Sequence, residues 1–345
     1  MSFMLDEIHA QPDVVSKLAG EDREAAAALA AEIEARDIDL ILMAARGTSD
    51  HAAIYGKYLL EINNGLPVAL ADCSVFTLYD SRLKLGKALV IGISQSGEAT
   101  DVAEYLEKSK EMGALTVSVT NEPGSRLTQV ADHTLLCHAG KELGVAATKT
   151  YTSTLAVLYL LSASLSGDKS RIERLTVCAD AMRSTLAIEE QIKGRAERFR
   201  YMQDGYVISR GFNYCTALET SLKLAETCYV GMLGYSAADF LHGPIAAVHE
   251  NEACFLCAPP GRAYGGVKEM AVKLHERGAE TIIISSEDDI LQLATTPVKM
   301  PVCVEEELSP LLYIMPGQLL AYYLALTKGY DPDRPRGLNK VTLTM

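Results

Sequence analysis

Short apolar runs rich in Val, Ile and Leu recur along the chain and alternate with longer stretches of helical period. That pattern predicts parallel strands covered on both faces by crossover helices. In the first half the runs 39–44, 67–71, 88–93, 115–119 and 133–137 read as strands, with helices over 49–61 and 101–112 between them. The second half repeats the plan with strands over 205–209, 253–258, 281–285 and 298–302 and helices over 214–229 and 266–276. An amphipathic helix over 20–36 precedes the first strand. The apolar stretch 154–165 contains Ser162 and Ser164 and falls short of the ~20 residues a bilayer requires, so it reads as a buried helix.

Register ties the halves together. In each, a helix ends at a glycine and enters a strand, Gly113-Ala-Leu-Thr-Val and Gly278-Ala-Glu-Thr-Ile, 165 residues apart. Arg46-Gly47 and Arg210-Gly211, each closing an apolar run before a helix, lie 164 residues apart. A near-constant offset predicts an internal duplication, giving two doubly wound, flavodoxin-like α/β sandwiches with parallel sheets related by an approximate two-fold. The expected divisions are an N-terminal segment 1–20, a first α/β domain 21–167, a charged bridging helix 168–199, a second domain 200–330 and a tail 331–345 entered through a proline-rich turn.

Composition narrows the partners. The 345 residues carry 32 basic and 45 acidic side chains, a net charge of −13, which leaves no basic field for nucleic acid or an anionic membrane surface. Asp6, Glu7 and His9 stand where a secretory signal would need a basic flank and an apolar run, so a cytoplasmic protein is expected. The eight cysteines are scattered, mostly beside apolar residues, and are expected to be reduced and buried. Cys254 and Cys257 share a strand at odd spacing, which turns them to opposite faces and argues against a redox or metal pair. No metal or cofactor is expected.

Candidate chemistry gathers where strands end. The run 88–93 enters Ser94-Gln-Ser-Gly-Glu98 and then a helix, so hydroxyls, backbone N–H groups and a positive helix end converge as a phosphate cradle. The same spacing also suits a Ser/Gly turn with capping serines. The matching loop of the second half is Pro259-Pro-Gly261, whose prolines offer neither N–H nor hydroxyl, so only the first copy is expected to hold phosphate. Arg46-Gly-Thr-Ser49 ends the first strand near the same crevice, and Ser49 is placed either to share the phosphate or to cap the helix. Glu219, Lys223 and Glu226 fall at i, i+4 and i+7 on one helix face, a spacing most often that of a solvated salt-bridge ladder. His242 lies in a loop after a helix, a position a histidine can also occupy without a role.

Six motifs then stand in a familiar order: Arg46-Gly-Thr-Ser49, Ile93-Ser-Gln-Ser-Gly-Glu98, Glu142-Leu-Gly-Val-Ala-Ala-Thr-Lys149, Leu222-Lys-Leu-Ala-Glu226, Leu241-His-Gly-Pro244 and Pro335-Arg-Gly-Leu-Asn-Lys340. In these the chain resembles double sugar-isomerase (SIS) domain proteins, specifically the isomerase half of glucosamine-6-phosphate synthase and the stand-alone glucosamine-6-phosphate deaminases. The resemblance implies that Ser49, Ser94, Gln95 and Ser96 hold the phosphate, with Arg46, Gly47 and Thr48 in the same loop. Thr100 follows Ala99, which stands where the family has a threonine ligand. Val145 and Ala147 would line the sugar, Glu226 would move the proton between C1 and C2 with Lys223 beside it, and Lys340 would meet the open sugar's carbonyl. His242 would open the ring, lent by the neighbouring subunit, so a homodimer with its active site at the interface is implied. Arg46 and Asp239 depart from the synthase's cysteine and glutamate.

The segment from Met4 to Pro12 resembles the one that opens the synthase's isomerase half. The glutaminase domain is therefore expected to be absent and glutamine not to be the ammonia source. The implied activity is an isomerising deaminase, glucosamine 6-phosphate to fructose 6-phosphate and ammonia, on a small sugar phosphate. A lyase or isomerase of a related amino-sugar or ketosamine phosphate, and a non-catalytic sugar-phosphate sensor, are the other readings.

Overall fold

A computed structural model describes residues 2–340; Val341 to Met345 of the expected tail lie outside the described residues. Two helices, α1 (Phe3–Glu21) and α2 (Arg23–Ala35), lead into β1 (Leu40–Ala44), α3 (Thr48–Asn64), β2 (Val68–Ala71), α4 (Ser74–Thr77), β3 (Ala88–Ile93), α5 (Thr100–Glu111), β4 (Leu115–Thr120), α6 (Arg126–Val130), β5 (His133–Leu136) and α7 (Lys149–Ser166). The chain continues through α8 (Lys169–Thr185), α9 (Glu189–Ala196), β6 (Asp204–Ser209), α10 (Tyr214–Cys228), β7 (Gly231–Ser236), α11 (Ala237–Leu241), β8 (Ala253–Cys257), α12 (Tyr264–Glu276), β9 (Glu280–Ser285), α13 (Asp288–Leu291), β10 (Thr296–Lys299) and α14 (Ser309–Thr327). One compact unit takes Asp13–Glu142, Lys149–Val177 and the described end of the chain at Asn339 and Lys340; the other takes the chain up to Pro12, Leu143–Thr148 and Cys178–Leu338.

Each unit holds a five-stranded parallel sheet, ordered β2-β1-β3-β4-β5 in the first and β7-β6-β8-β9-β10 in the second. Matching the strands in chain order makes the two orders identical. β3 and β4 are buried along their whole length; β3 accordingly runs apolar without alternation, whereas β4 alternates apolar residues with Thr116, Ser118 and Thr120, whose buried hydroxyls find hydrogen-bond partners. The duplication also survives in the backbone. Gly113 and Gly278 have φ of +89° and +70°, and Gly47 and Gly211 have +54° and +64°, conformations that L side chains adopt only at a cost.

Beside the short helices α4, α6 and α13, three longer elements lie outside the sequence reading. α1 spans Pro12, a helix breaker, yet Met4, Ile8, Val15 and Leu18 are all buried along it. Proline frees the carbonyl four residues back, and here the Gln11 side chain donates to that carbonyl, Ile8 O, at 3.0 Å. β7 is an edge strand with two glycines, and α14 is apolar all round, so neither shows its period. Thr154 to Leu165 lies inside α7, buried as expected as far as Ala163, with Ser164 and Leu165 half-buried. All eight cysteines are unbridged and seven are buried, but Cys303 is exposed, on an irregular stretch after β10. Burial pushes the Cys254 and Cys257 thiols up to about 12. Among the described residues no helix is long and apolar enough to cross a membrane.

Candidate active site

In the first unit β1 and β3 are neighbours whose crossovers run in opposite directions, so the loops after them flank the switch point of the sheet. After β1 the helix cap falls on Gly47, and Ser49 sits inside the first turn of α3; the capping role open to Ser49 is thereby taken by glycine. After β3 the Ser94 N–H donates to Val119 O at 3.0 Å, and the Gly97 N–H returns to Ser94 O at 3.1 Å, closing a tight turn. Gly97 has φ +67°, and a Cβ there would stand 2.0 Å from Ser125 Oγ, so position 97 admits only glycine on both counts. Gln95 O accepts from the Asn121 N–H at 3.1 Å and from Thr120 Oγ1 at 3.3 Å. Ser96 Oγ accepts the Glu98 N–H at 3.3 Å, leaving its own proton to donate. Ala99 then caps α5, which starts at Thr100 and directs its positive end at this turn.

Gln95 and Ser96 open onto a cleft of about 860 Å³ that is also lined by Asn121, Ser125, Glu142 and Lys340. Lys340 Nζ lies 2.6 Å from Glu142 Oε2, and the Glu142 side chain is fully buried. Thr150, at the start of α7, donates its N–H to Glu142 Oε1 at 3.1 Å and its hydroxyl to Oε2 at 2.7 Å. Asn121 accepts the Ala139 N–H at 2.9 Å and donates to Gly140 O at 2.8 Å, fixing the far wall. Neither Glu142 nor Asn121 was singled out by sequence reasoning; Glu142 was visible only as the first letter of a motif. Arg46 and Gly47 instead line a separate hollow of about 270 Å³ with Asp50 and Asp72, and Arg46 Nε is held by Asp101 at 2.9 Å. Thr48, Ser49, Ser94 and Thr100 border neither space.

In the second unit α10 carries the charged stripe. Lys223 Nζ lies 3.2 Å from Glu219 Oε1 and 2.6 Å from Glu226 Oε2; Lys223 and Glu219 are 0% exposed and Glu226 22%. This is a buried ion triad with one carboxylate at the surface, and not the solvated ladder that its spacing most often gives. Burial works against the Lys223 ammonium, but the two carboxylates outweigh it and hold the group above the ordinary lysine range. Close approach of α14 supports the burial, since a Cβ on Gly317 would lie 2.4 Å from Thr220 Oγ1. His242 is exposed just after α11, with its N–H on Asp239 O at 3.0 Å. Val145 and Ala147 are half-buried in the short segment after Glu142.

Two parallel sheets of one topology, with a serine-rich turn at one switch point, define a duplicated sugar-isomerase architecture. The SIS domain family matches residues 34–164 and again 205–328, and the chain belongs to that family. It is 38% identical to a glutamine–fructose-6-phosphate aminotransferase (isomerizing) of Pyrococcus horikoshii, over 98% of this chain and 57% of that protein. The chain thus spans little more than half the length of that curated relative. The C-terminal domain of glucosamine-fructose-6-phosphate aminotransferase from Francisella tularensis superposes with a TM-score of 0.87 at 26% identity, covering 97% of this chain and 98% of that one. A glucosamine-6-phosphate deaminase of Thermotoga maritima shares the fold, with a TM-score of 0.81 at 22% identity, covering 99% of this chain and 100% of that one.

Proposed function

We propose that the chain is a phosphosugar isomerase that acts on an amino-sugar 6-phosphate, converting glucosamine 6-phosphate and water to fructose 6-phosphate and ammonia. The observation that carries this reading is the first-unit cleft, where Gln95 and Ser96 share one wall system with the Lys340 amine. Ser49, Ser94, Gln95, Ser96 and the α5 N-terminus hold the phosphate, with Arg46, Gly47, Thr48 and Thr100 around them. Val145 and Ala147 face the sugar, and Lys340 meets the carbonyl of the open chain. His242 opens the ring, a proton exchange suited to imidazole near neutrality, and its exposure suits donation to a second copy in a homodimer. Glu226 takes hydrogen from C2 and returns it to C1, leaving an imine at C2 that water hydrolyses to the ketose and ammonia.

Support for Glu226 as the mobile base comes from the triad: Lys223 anchors it while it alone of the three reaches solvent. Arg46, where the synthase has cysteine, favours as a second reading a related amino-sugar or ketosamine phosphate. The test is coupled ammonia release across the hexosamine 6-phosphates, with the reverse reaction run on free ammonia and on glutamine. Release from glucosamine 6-phosphate, and reversal with ammonia, is expected, and the glutamine arm decides whether glutamine also serves. Silence with every substrate alongside tight binding of one would make the protein a sensor, and an active monomer by light scattering would remove His242 from the shared site.

A further inference from the structure

We propose that Glu7 is a positioning residue that fixes the segment 143–147 and thereby sets sugar affinity; this rests on the proposed function, which turns Val145 and Ala147 toward the sugar. Glu7 is 6% exposed, and a buried carboxylate requires donors. Two of them are successive backbone amides: the Leu143 N–H reaches Oε1 at 2.5 Å and the Gly144 N–H reaches Oε2 at 3.2 Å. Charge-assisted bonds to two successive amides fix a peptide plane in a stretch with no regular structure. Gly144 completes the fit, because a Cβ there would meet Glu7 Oε2 at 2.9 Å.

The helix that presents Glu7 is itself held by three residues. Asp333 caps its start, accepting from the Phe3 N–H at 3.0 Å, the Met4 N–H at 2.8 Å and Ser2 Oγ at 3.0 Å. His9 pairs with Glu189 at 2.6 Å, and Gln11 donates to buried Gln318 at 2.8 Å. The Met4 to Pro12 motif is therefore a splint, with Glu7 as its working side chain. Asp333 lies seven residues before Lys340, so the same helix start also anchors the run-in to that amine.

The experiment compares the wild type with Glu7→Ala, Gly144→Ala and the double variant. Glu7→Ala should speed amide exchange at 143–144 and raise KM for glucosamine 6-phosphate about 10-fold or more, with kcat within about 3-fold. Inhibition by inorganic phosphate, which the proposed cradle of Ser49, the 94–96 turn and the α5 N-terminus binds without the segment 143–147, should not change. Gly144→Ala, which leaves α1 intact and keeps the test open if Glu7→Ala misfolds, should give the same pattern and add nothing to Glu7→Ala. Unchanged exchange, or faster exchange with an unchanged KM, overturns the inference. So does an equal loss of phosphate and sugar-phosphate affinity, which would mark general loosening. A wild type that neither binds nor turns over any hexosamine 6-phosphate sinks the proposed function instead, while the exchange comparison still decides whether Glu7 holds the segment.

Discussion

The two copies treat the same helix end in opposite ways. After β3 the turn at 94–98 faces an open cleft, whereas after β8 the equivalent position is filled by the chain itself. There the Arg262 and Ala263 N–H groups, just before α12, donate to the two oxygens of Glu306 at 2.7 and 2.9 Å. Gly261 leaves room for it, since a Cβ would lie 2.4 Å from Glu306 Cδ. Duplication copied an anion-binding backbone, and the second copy supplied its own anion. The loss of donors at Pro259 and Pro260, legible in the sequence, is thus only half of the case for proposing the first copy as the phosphate site. The helices after the first strand of each sheet diverge in the other direction. At the 164-residue offset, Glu219, Lys223 and Glu226 of α10 correspond to Tyr55, Leu59 and Ile62 of α3. The fold does not need charges at those places, so the burial of Glu219 and Lys223 behind Glu226 in the second copy is in keeping with the role proposed for Glu226.

That contrast breaks first at Glu226. Glu226→Gln keeps the shape and removes the base, and kcat should fall by roughly 10²–10⁴ with KM little changed; near-normal turnover in a steady-state assay would return the triad to a structural role. Lys223→Leu should lower stability by about 3–5 kcal/mol in denaturant titration, because the buried Glu219 carboxylate loses the ammonium that balances its charge. Adding Glu219→Tyr, which imitates the first copy, should restore most of that stability and none of the activity.

How far the sequence carried depended on the range of each interaction. β3 was readable to the residue because burial on both faces leaves an unbroken apolar run, and the paired glycines were readable because the backbone demands them. α1 was hidden by Pro12, whose cost is offset by a side chain rather than by any periodic signal. α14 has no polar face to give it a period, and β7 gains its order from pairing with β6. At the site, the 94–98 turn was legible because it is local. Glu142 was not, since its partner Lys340 is 198 residues away.

The cradle itself should respond through binding. Ser96→Ala removes a donor to an anion held throughout the reaction, so KM should rise by the equivalent of about 1.5–3 kcal/mol with kcat nearly unchanged. Its counterpart, Glu306→Ala, strips two amides of their acceptor and should cost about 1–2 kcal/mol in thermal unfolding while leaving KM alone. A rise in KM from Glu306→Ala, or none from Ser96→Ala, would erase the distinction between the two helix ends.

The smallest expected effect lies at the edge of each sheet, where one clasp is charged and its copy is neutral. In the first unit Thr116 donates its N–H and hydroxyl to Asp132 Oδ2 at 3.0 and 2.9 Å, and the Asp132 N–H returns to Thr116 Oγ1 at 3.0 Å. In the second, the Thr281 N–H donates to Thr295 Oγ1 at 2.7 Å and the Thr295 N–H returns to Thr281 Oγ1 at 3.1 Å. Burial pushes the Asp132 carboxyl up, but Lys110 at 2.7 Å and the Thr116 donors outweigh it and leave it below the ordinary aspartate value. A carboxyl depressed in the folded state contributes stability that is complete above its unfolded pKa and is lost as pH falls through the folded one. Asp132→Asn should therefore cost about 1 kcal/mol at neutral pH, and its deficit against the wild type should close as melting is followed from neutral pH into strong acid. The deficit from Thr281→Val, which removes the acceptor of the Thr295 N–H and leaves the Thr295 hydroxyl on the Glu280 carboxylate, should stay constant over the same range. Equal pH dependence in the two variants would mean that the charge on Asp132 contributes nothing that a hydroxyl does not.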